Sequence, residues 1–117
     1  MDIETFRHYC LQKAYVSESF PFDETTLVMK VRDKIFAITD LNNDFQIALK
    51  CDPEKAIERR EQFFAVKPGY HLNKTHWNTI LIDGSIPDST LKDWIDESYE
   101  LIVSNFPKNI RSQFLSK

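Results

Sequence analysis

Residues Thr26 to Cys51 read TLVMKVRDKIFAITDLNNDFQIALKC, three apolar-rich runs separated by two turns. In the first run Leu27, Met29 and Val31 fall on one side, with Val28, Lys30 and Arg32 on the other. In the last run Phe45, Ile47, Leu49 and Cys51 oppose Gln46, Ala48 and Lys50. Successive side chains of a strand point to opposite faces, so this alternation predicts an antiparallel meander with one covered and one open face. Arg32-Asp33 makes the first tight turn and LNND, Leu41 to Asp44, the second, because asparagine and aspartate bond their own backbone. Lys30, Arg32, Gln46 and Lys50 are expected to share the open face.

Outward from the meander, helical signals appear on both sides. Asp52-Pro53 combines an N-cap aspartate with a proline at the first helical position. Ala56, Ile57, Arg60 and Phe63/Phe64 are expected on the inner side of that helix, and Phe64 to Val66 in a short strand. Pro68-Gly69 has the form of a type II turn, which asks glycine for a positive φ. Thr79 to Ile82 reads as a buried strand, and Asp83-Gly84 as a turn. Asp88 is expected to cap the longest helix, Ser89 to about Asn105, with Leu91, Trp94, Ile95, Ser98 and Ile102 on one stripe before Pro107 stops it. Ile110, Phe114 and Leu115 suggest a last short helix. At the other end Asp2 caps a helix whose stripe is Ile3, Phe6, Cys10 and Ala14. Ser17 to Asp23 is at most an edge strand, since Pro21 cannot donate to a central ladder. Phe20 and Phe22 are expected to plug one end of the core. The whole is an α+β two-layer sandwich, a mostly antiparallel sheet with helices packed on one face, and residues 1–117 form one domain.

The 117 residues carry a formal charge of −3, which argues against nucleic-acid binding by bulk field alone and demands a local basic patch. Acids crowd into Asp83 to Glu100, whereas Leu101 to Lys117 holds three bases and no acid. No apolar run is long enough to cross a membrane. The acidic, amphipathic start MDIETFRHYC does not resemble a signal peptide, so a cytoplasmic monomer is expected. Cys10 and Cys51 sit among apolar neighbours and are expected as reduced, buried thiols.

Five segments occur together in order: FPFDETTLVMKV (Phe20 to Val31), KIFAIT (Lys34 to Thr39), LKCDPE (Leu49 to Glu54), PGYHLNKTHWNT (Pro68 to Thr79) and SYELIV (Ser98 to Val103). In these the chain resembles the MmcQ/YjbR family of small bacterial proteins. The resemblance covers nearly the whole chain. It implies a CyaY-like, frataxin-like α+β fold and DNA binding through a double-wing arrangement of hairpin loops. The chain departs from the family at the first meander turn, where Arg32-Asp33 replaces the usual glycine. Aspartate is expected to take the left-handed position there. Only Asp2 and Glu4 would stand for the acidic ridge of frataxins, so iron handling is not implied.

Other chemistries fit less well. His71 and His76 with Cys51 match no zinc spacing, and no metal or cofactor is expected. Cys51 falls on the same strand side as Ile47 and Leu49, away from the exposed niche a nucleophile needs. Two glycines, Gly69 and Gly84, cannot make a phosphate loop. An enzyme is therefore not expected. What remains is a set of cations interleaved with aromatic and imidazole rings: Lys30, Arg32, Lys34, Lys50, Lys67, Tyr70, His71, Lys74, His76 and Trp77. Cations track phosphates and rings stack on bases, so the expected function is DNA binding of low sequence specificity. The alternative is a protein- or small-ligand-binding module using the same loop and open face.

Overall fold

The computed structural model describes residues 1–42, 44–69 and 72–115, the side chain of Leu115 excepted. In chain order it runs α1 (Ile3–Leu11), β1 (Val16–Ser19), β2 (Thr26–Val31), β3 (Lys34–Asp40), β4 (Gln46–Lys50), α2 (Pro53–Gln62), β5 (Val66–Pro68), β6 (Trp77–Leu81), α3 (Asp88–Ser104) and α4 (Lys108–Leu115). The six strands form one antiparallel sheet in the order β1-β2-β3-β4-β6-β5. The helix α2 carries the chain past the sheet, and β6 returns between β4 and the edge strand β5. This is the α+β sandwich that the alternation predicts.

One face of the sheet holds the core. Leu27, Met29 and Val31 of β2, Ile47 and Leu49 of β4 and Ile80 of β6 pack against Phe6 of α1 and Leu91, Ile95 and Ile102 of α3. The expected stripe of α3 is therefore buried, as are Phe6 and Cys10 of α1 on the same side, while Ile3 is half-buried and Ala14 falls beyond the end of α1. Asp2 caps α1 by accepting the Thr5 amide, and Asp52 caps α2 by accepting that of Lys55. At α3 the cap differs from expectation. Pro87 occupies the N-cap without a side-chain bond, while Asp88 accepts the Met1 amino group at 2.9 Å.

A bulge between Met29 and Lys30, opposite Phe36, splits the meander register. The β3–β4 ladder runs only from Ala37↔Leu49 to Thr39↔Ile47, and a buried side chain closes the gap beyond it. Ser98 Oγ accepts the Lys50 amide at 2.9 Å and donates to the Phe36 carbonyl at 2.6 Å. The serine on the apolar stripe of α3 is thus a clamp between two strands, satisfying backbone groups that burial would otherwise leave unpaired.

Other local expectations are overturned. Phe20 and Phe22 do not plug the core: they are 46% and 65% exposed, on the connection after edge strand β1. Ile57 and Phe64 also point to solvent, Phe64 at 91% exposure, so only Ala56 of that expected inner side is fully buried, with Phe63 packed edge-on against Trp94. At the first meander turn Arg32, not Asp33, takes the positive φ, at 55°. Two contacts hold it there: its guanidinium lies 4.4 Å from the Tyr15 ring centroid and bonds Gln113 of α4. A cation–π contact and a hydrogen bond offset the strain that glycine would avoid.

Candidate nucleic-acid interface

The face of the sheet away from the helices presents three cross-strand rows. Lys30 of β2 and Ile35 of β3 pair at one end, in line with the pair Lys50 and Trp77 of β4 and β6. The middle row is Ser19, Val28, Ile38, Ala48, Thr79 and Lys67. The far row carries Thr26 and Asp40, then Gln46 and Leu81. The face is therefore polarised, with lysines toward one end and a carboxylate toward the other. Its centre is more apolar than the alternation suggests, since Val28 and Ala48 are buried.

Lys30, Lys50 and Lys67 come from three strands. With strands about 4.8 Å apart, β2 and β5 are separated by roughly 19 Å. None of the three makes an ion pair among the described residues. On the helix layer the pattern is opposite: Arg7 bridges Glu4 and Glu18, Lys13 bonds Asp96, and Lys55 and Arg59 meet Glu97. Those four helix-layer cations are neutralised at home, whereas Arg60, Lys92, Lys108 and Arg111 on the helices, like the three sheet-face lysines, make no ion pair among the described residues.

The remaining expected site residues separate. Arg32 is turned onto Tyr15 and α4, so it does not share the face of Lys30 and Lys50. Lys34 pairs with Val31, which places it on the helix side of the sheet. Its neighbour Ile35 pairs with Lys30 on the open face, and the bulge at Phe36 lies beyond both. Lys74 and His76 are exposed on the loop before β6. Trp77 is half-buried at the start of that strand. Tyr70 and His71 lie outside the described residues.

The loop is held by its backbone. Asn73 O accepts the amides of Trp77 at 2.9 Å and His76 at 3.3 Å, and the Cys51 amide donates to His76 O at 2.7 Å. Arg60 donates to Asn78 Oδ1 at 2.6 Å and to the Lys74 carbonyl, while Asn78 Nδ2 donates to Ala56 O at 3.1 Å. Asn78 is thus a buried anchor that joins the loop to α2. Pro68-Gly69 is no type II turn. Pro68 ends edge strand β5, and Gly69 continues the pairing with its amide on Trp77 O at 2.9 Å, without a positive φ.

A protein-family model described as YjbR matches residues 11–101. The chain belongs to the YjbR family. It is 37% identical over 112 residues to the protein YjbR of Escherichia coli K12, covering 95% of each chain. It is 33% identical to YbdF of Escherichia coli O157:H7 over 106 residues, 90% of this chain and 87% of that one. A crystal structure of a Deinococcus radiodurans protein, domain DUF419, superposes with a TM-score of 0.90 at 36% identity, covering 96% of this chain and 86% of that one. The sandwich is therefore shared with that solved structure, and its helix-free face is the surface on which the expected basic residues partly converge.

Sequence reasoning missed two residues at this face. Phe22 and Phe64 were expected in the core, yet both border its grooves. One signal was available for Phe64: two adjacent phenylalanines leaving a helix cannot both point inward. The acids of α3 line a separate depression of about 390 Å³ with Asp52 and Lys55. No cluster of three or more metal-ligating side chains forms among the described residues. Cys51 is buried, and its sulfur accepts from Arg59 at 3.2 Å. Burial pushes both thiols up, Cys10 to about 12. Among the described residues no helix is long and apolar enough to cross a membrane.

Proposed function

We propose that this YjbR-family domain binds DNA with little sequence preference through the helix-free face of its sheet, without catalysing a reaction. One observation carries the reading: Lys30, Lys50 and Lys67 project together from that one face with no ion pair among the described residues. A set of unneutralised ammonium groups on one face of a protein of net charge −3 supplies the local basic patch that phosphate binding requires. The double-wing reading implied by family resemblance points to the same class of ligand. Phosphate contacts carry no base information, hence low specificity.

Salt titration of binding to labelled DNA, read by fluorescence anisotropy, tests this. The logarithm of affinity should fall linearly with the logarithm of salt concentration. Lys30→Ala, Lys50→Ala and Lys67→Ala should each reduce that slope by roughly one unit and weaken all sequences alike. Arg32→Ala should leave the slope unchanged, because its guanidinium is committed to Tyr15 and Gln113. A folded wild type that binds no DNA at low salt would sink the proposal and leave the face to a protein or small ligand.

A further inference from the structure

Two depressions lie side by side on the helix-free face. The first, about 420 Å³, is bordered by Phe22, Ile38, Asp40, Ala48 and Leu72. The second, about 480 Å³, is bordered by Phe64, Lys67, Leu81 and Asp83. Both are also lined by Gln46 and Thr79, so together they make one groove crossing β4 and β6. Phe22 and Phe64, on its two sides, are the most exposed large apolar side chains among the described residues. Neither ring is spent on the core. The Phe64 ring has the Lys67 ammonium 4.4 Å from its centroid.

Resting on the DNA reading, we infer that this groove takes single-stranded nucleic acid, with Phe22 and Phe64 stacking on unpaired bases. The polarity of the face gives the orientation. Phosphates follow the Lys30 and Lys50 end, with Lys67 at the edge, since Asp40 and Asp83 repel them from the other side. Bases then reach across Ile38, Ala48 and Thr79, which line the groove, to the rings. Gln46 offers both hydrogen-bond donors and acceptors beneath them. Exposed rings are sequence-tolerant platforms because every base has a π-face. A duplex keeps its base faces stacked inside and offers the rings nothing, so charge alone would hold it. The half-buried Trp77 is less suited to this task than the two phenylalanines.

The test compares a labelled oligothymidine strand with a hairpin duplex of matched phosphate number, at one low salt concentration. Wild type should bind the single strand about tenfold or more tightly. Phe22→Ala and Phe64→Ala should each weaken single-strand binding by roughly tenfold while leaving duplex binding and the salt slope unchanged. Phe64→Tyr should restore binding, and melting temperatures should match wild type because both rings are exposed. Lys50→Ala should weaken strand and duplex together. Equal binding of strand and duplex, with phenylalanine variants indistinguishable from wild type, overturns the stacking inference and leaves the phosphate reading standing. Absence of binding to either overturns both. Sedimentation showing a dimer that Phe64→Ala dissolves overturns the inference as well, by giving the rings to a second copy of this chain.

Discussion

Gly69 is buried directly opposite Trp77, where a β-carbon built on it would lie 2.8 Å from Trp77 Cβ and 3.0 Å from Trp77 O. Paired strand residues normally keep their β-carbons about 4.5–5.5 Å apart. Close approach, not a left-handed backbone, is therefore what excludes a side chain at this position. Gly69→Ala should cost about 1–3 kcal/mol, the usual range for forcing a methyl into a packed site, measured by urea unfolding. The Trp77 indole resonance should shift as β5 is pushed away. Gly84, by contrast, has a φ of 88° and open space around it. Gly84→Ala should act through strain and leave the Trp77 resonance in place. An unshifted indole and unchanged stability in Gly69→Ala would remove the steric account.

At the scale of elements, β3, β4 and α3 meet at one hydroxyl. Ser98 is fully buried and stands between the Lys50 amide and the Phe36 carbonyl, where the ladder has already parted. Removing it leaves a buried donor and acceptor without their partner, and each such loss costs about 1–3 kcal/mol. Ser98→Ala should accordingly destabilise the domain by at least that much and speed hydrogen exchange at the Lys50 amide. Ser104→Ala, an exposed change on the same helix, should stay within about 0.5 kcal/mol. If the two variants melt alike, the clamp contributes nothing. The consequence reaches the proposed interface, because Ser98 sets the end of β4 that presents Lys50.

For the molecule as a whole, acid stability follows from a few carboxylates. The Arg7 side-chain hydrogen bonds hold Glu18 below its ordinary value, and the Thr25 and Thr26 amides do the same for Asp23. Asp2 and Asp83 are lowered by bonds from Thr5 and Ser85. A carboxyl lowered on folding contributes stability that is complete above its unfolded pKa, about 4, and disappears as pH falls through the folded value. The domain should therefore hold its melting temperature from neutral pH to about 5 and lose it progressively below 4. Glu18→Gln should melt lower at pH 7 and show a shallower decline in acid. A parallel decline in both proteins would assign the acid loss to other groups. Glu18 matters at this scale because its bridge to Arg7 ties edge strand β1 to α1.

The period-two runs, the Asp2 and Asp52 caps and the stop at Pro107 are local patterns. They settled that the chain makes an antiparallel sheet with helices on one side, and that Leu27, Met29, Ile47, Leu49, Ile95 and Ile102 are core. Backbone sterics and the spacing of apolar residues act within a few residues, so they are visible in one dimension. Lys30 and Lys50 could be put on one face for the same reason. Tertiary structure alone settled where Arg32 goes, because a distant helix offers its guanidinium a partner, whereas Lys34 follows locally from Val31 across the two-residue turn. It also settled that Gly69 answers to Trp77, that Ser98 closes a gap between strands, and that Phe22 and Phe64 stay outside. Each of these depends on what packs against a residue from far along the chain, and hydrophobicity alone carries no record of whether a ring finds a partner in the core or is left facing water.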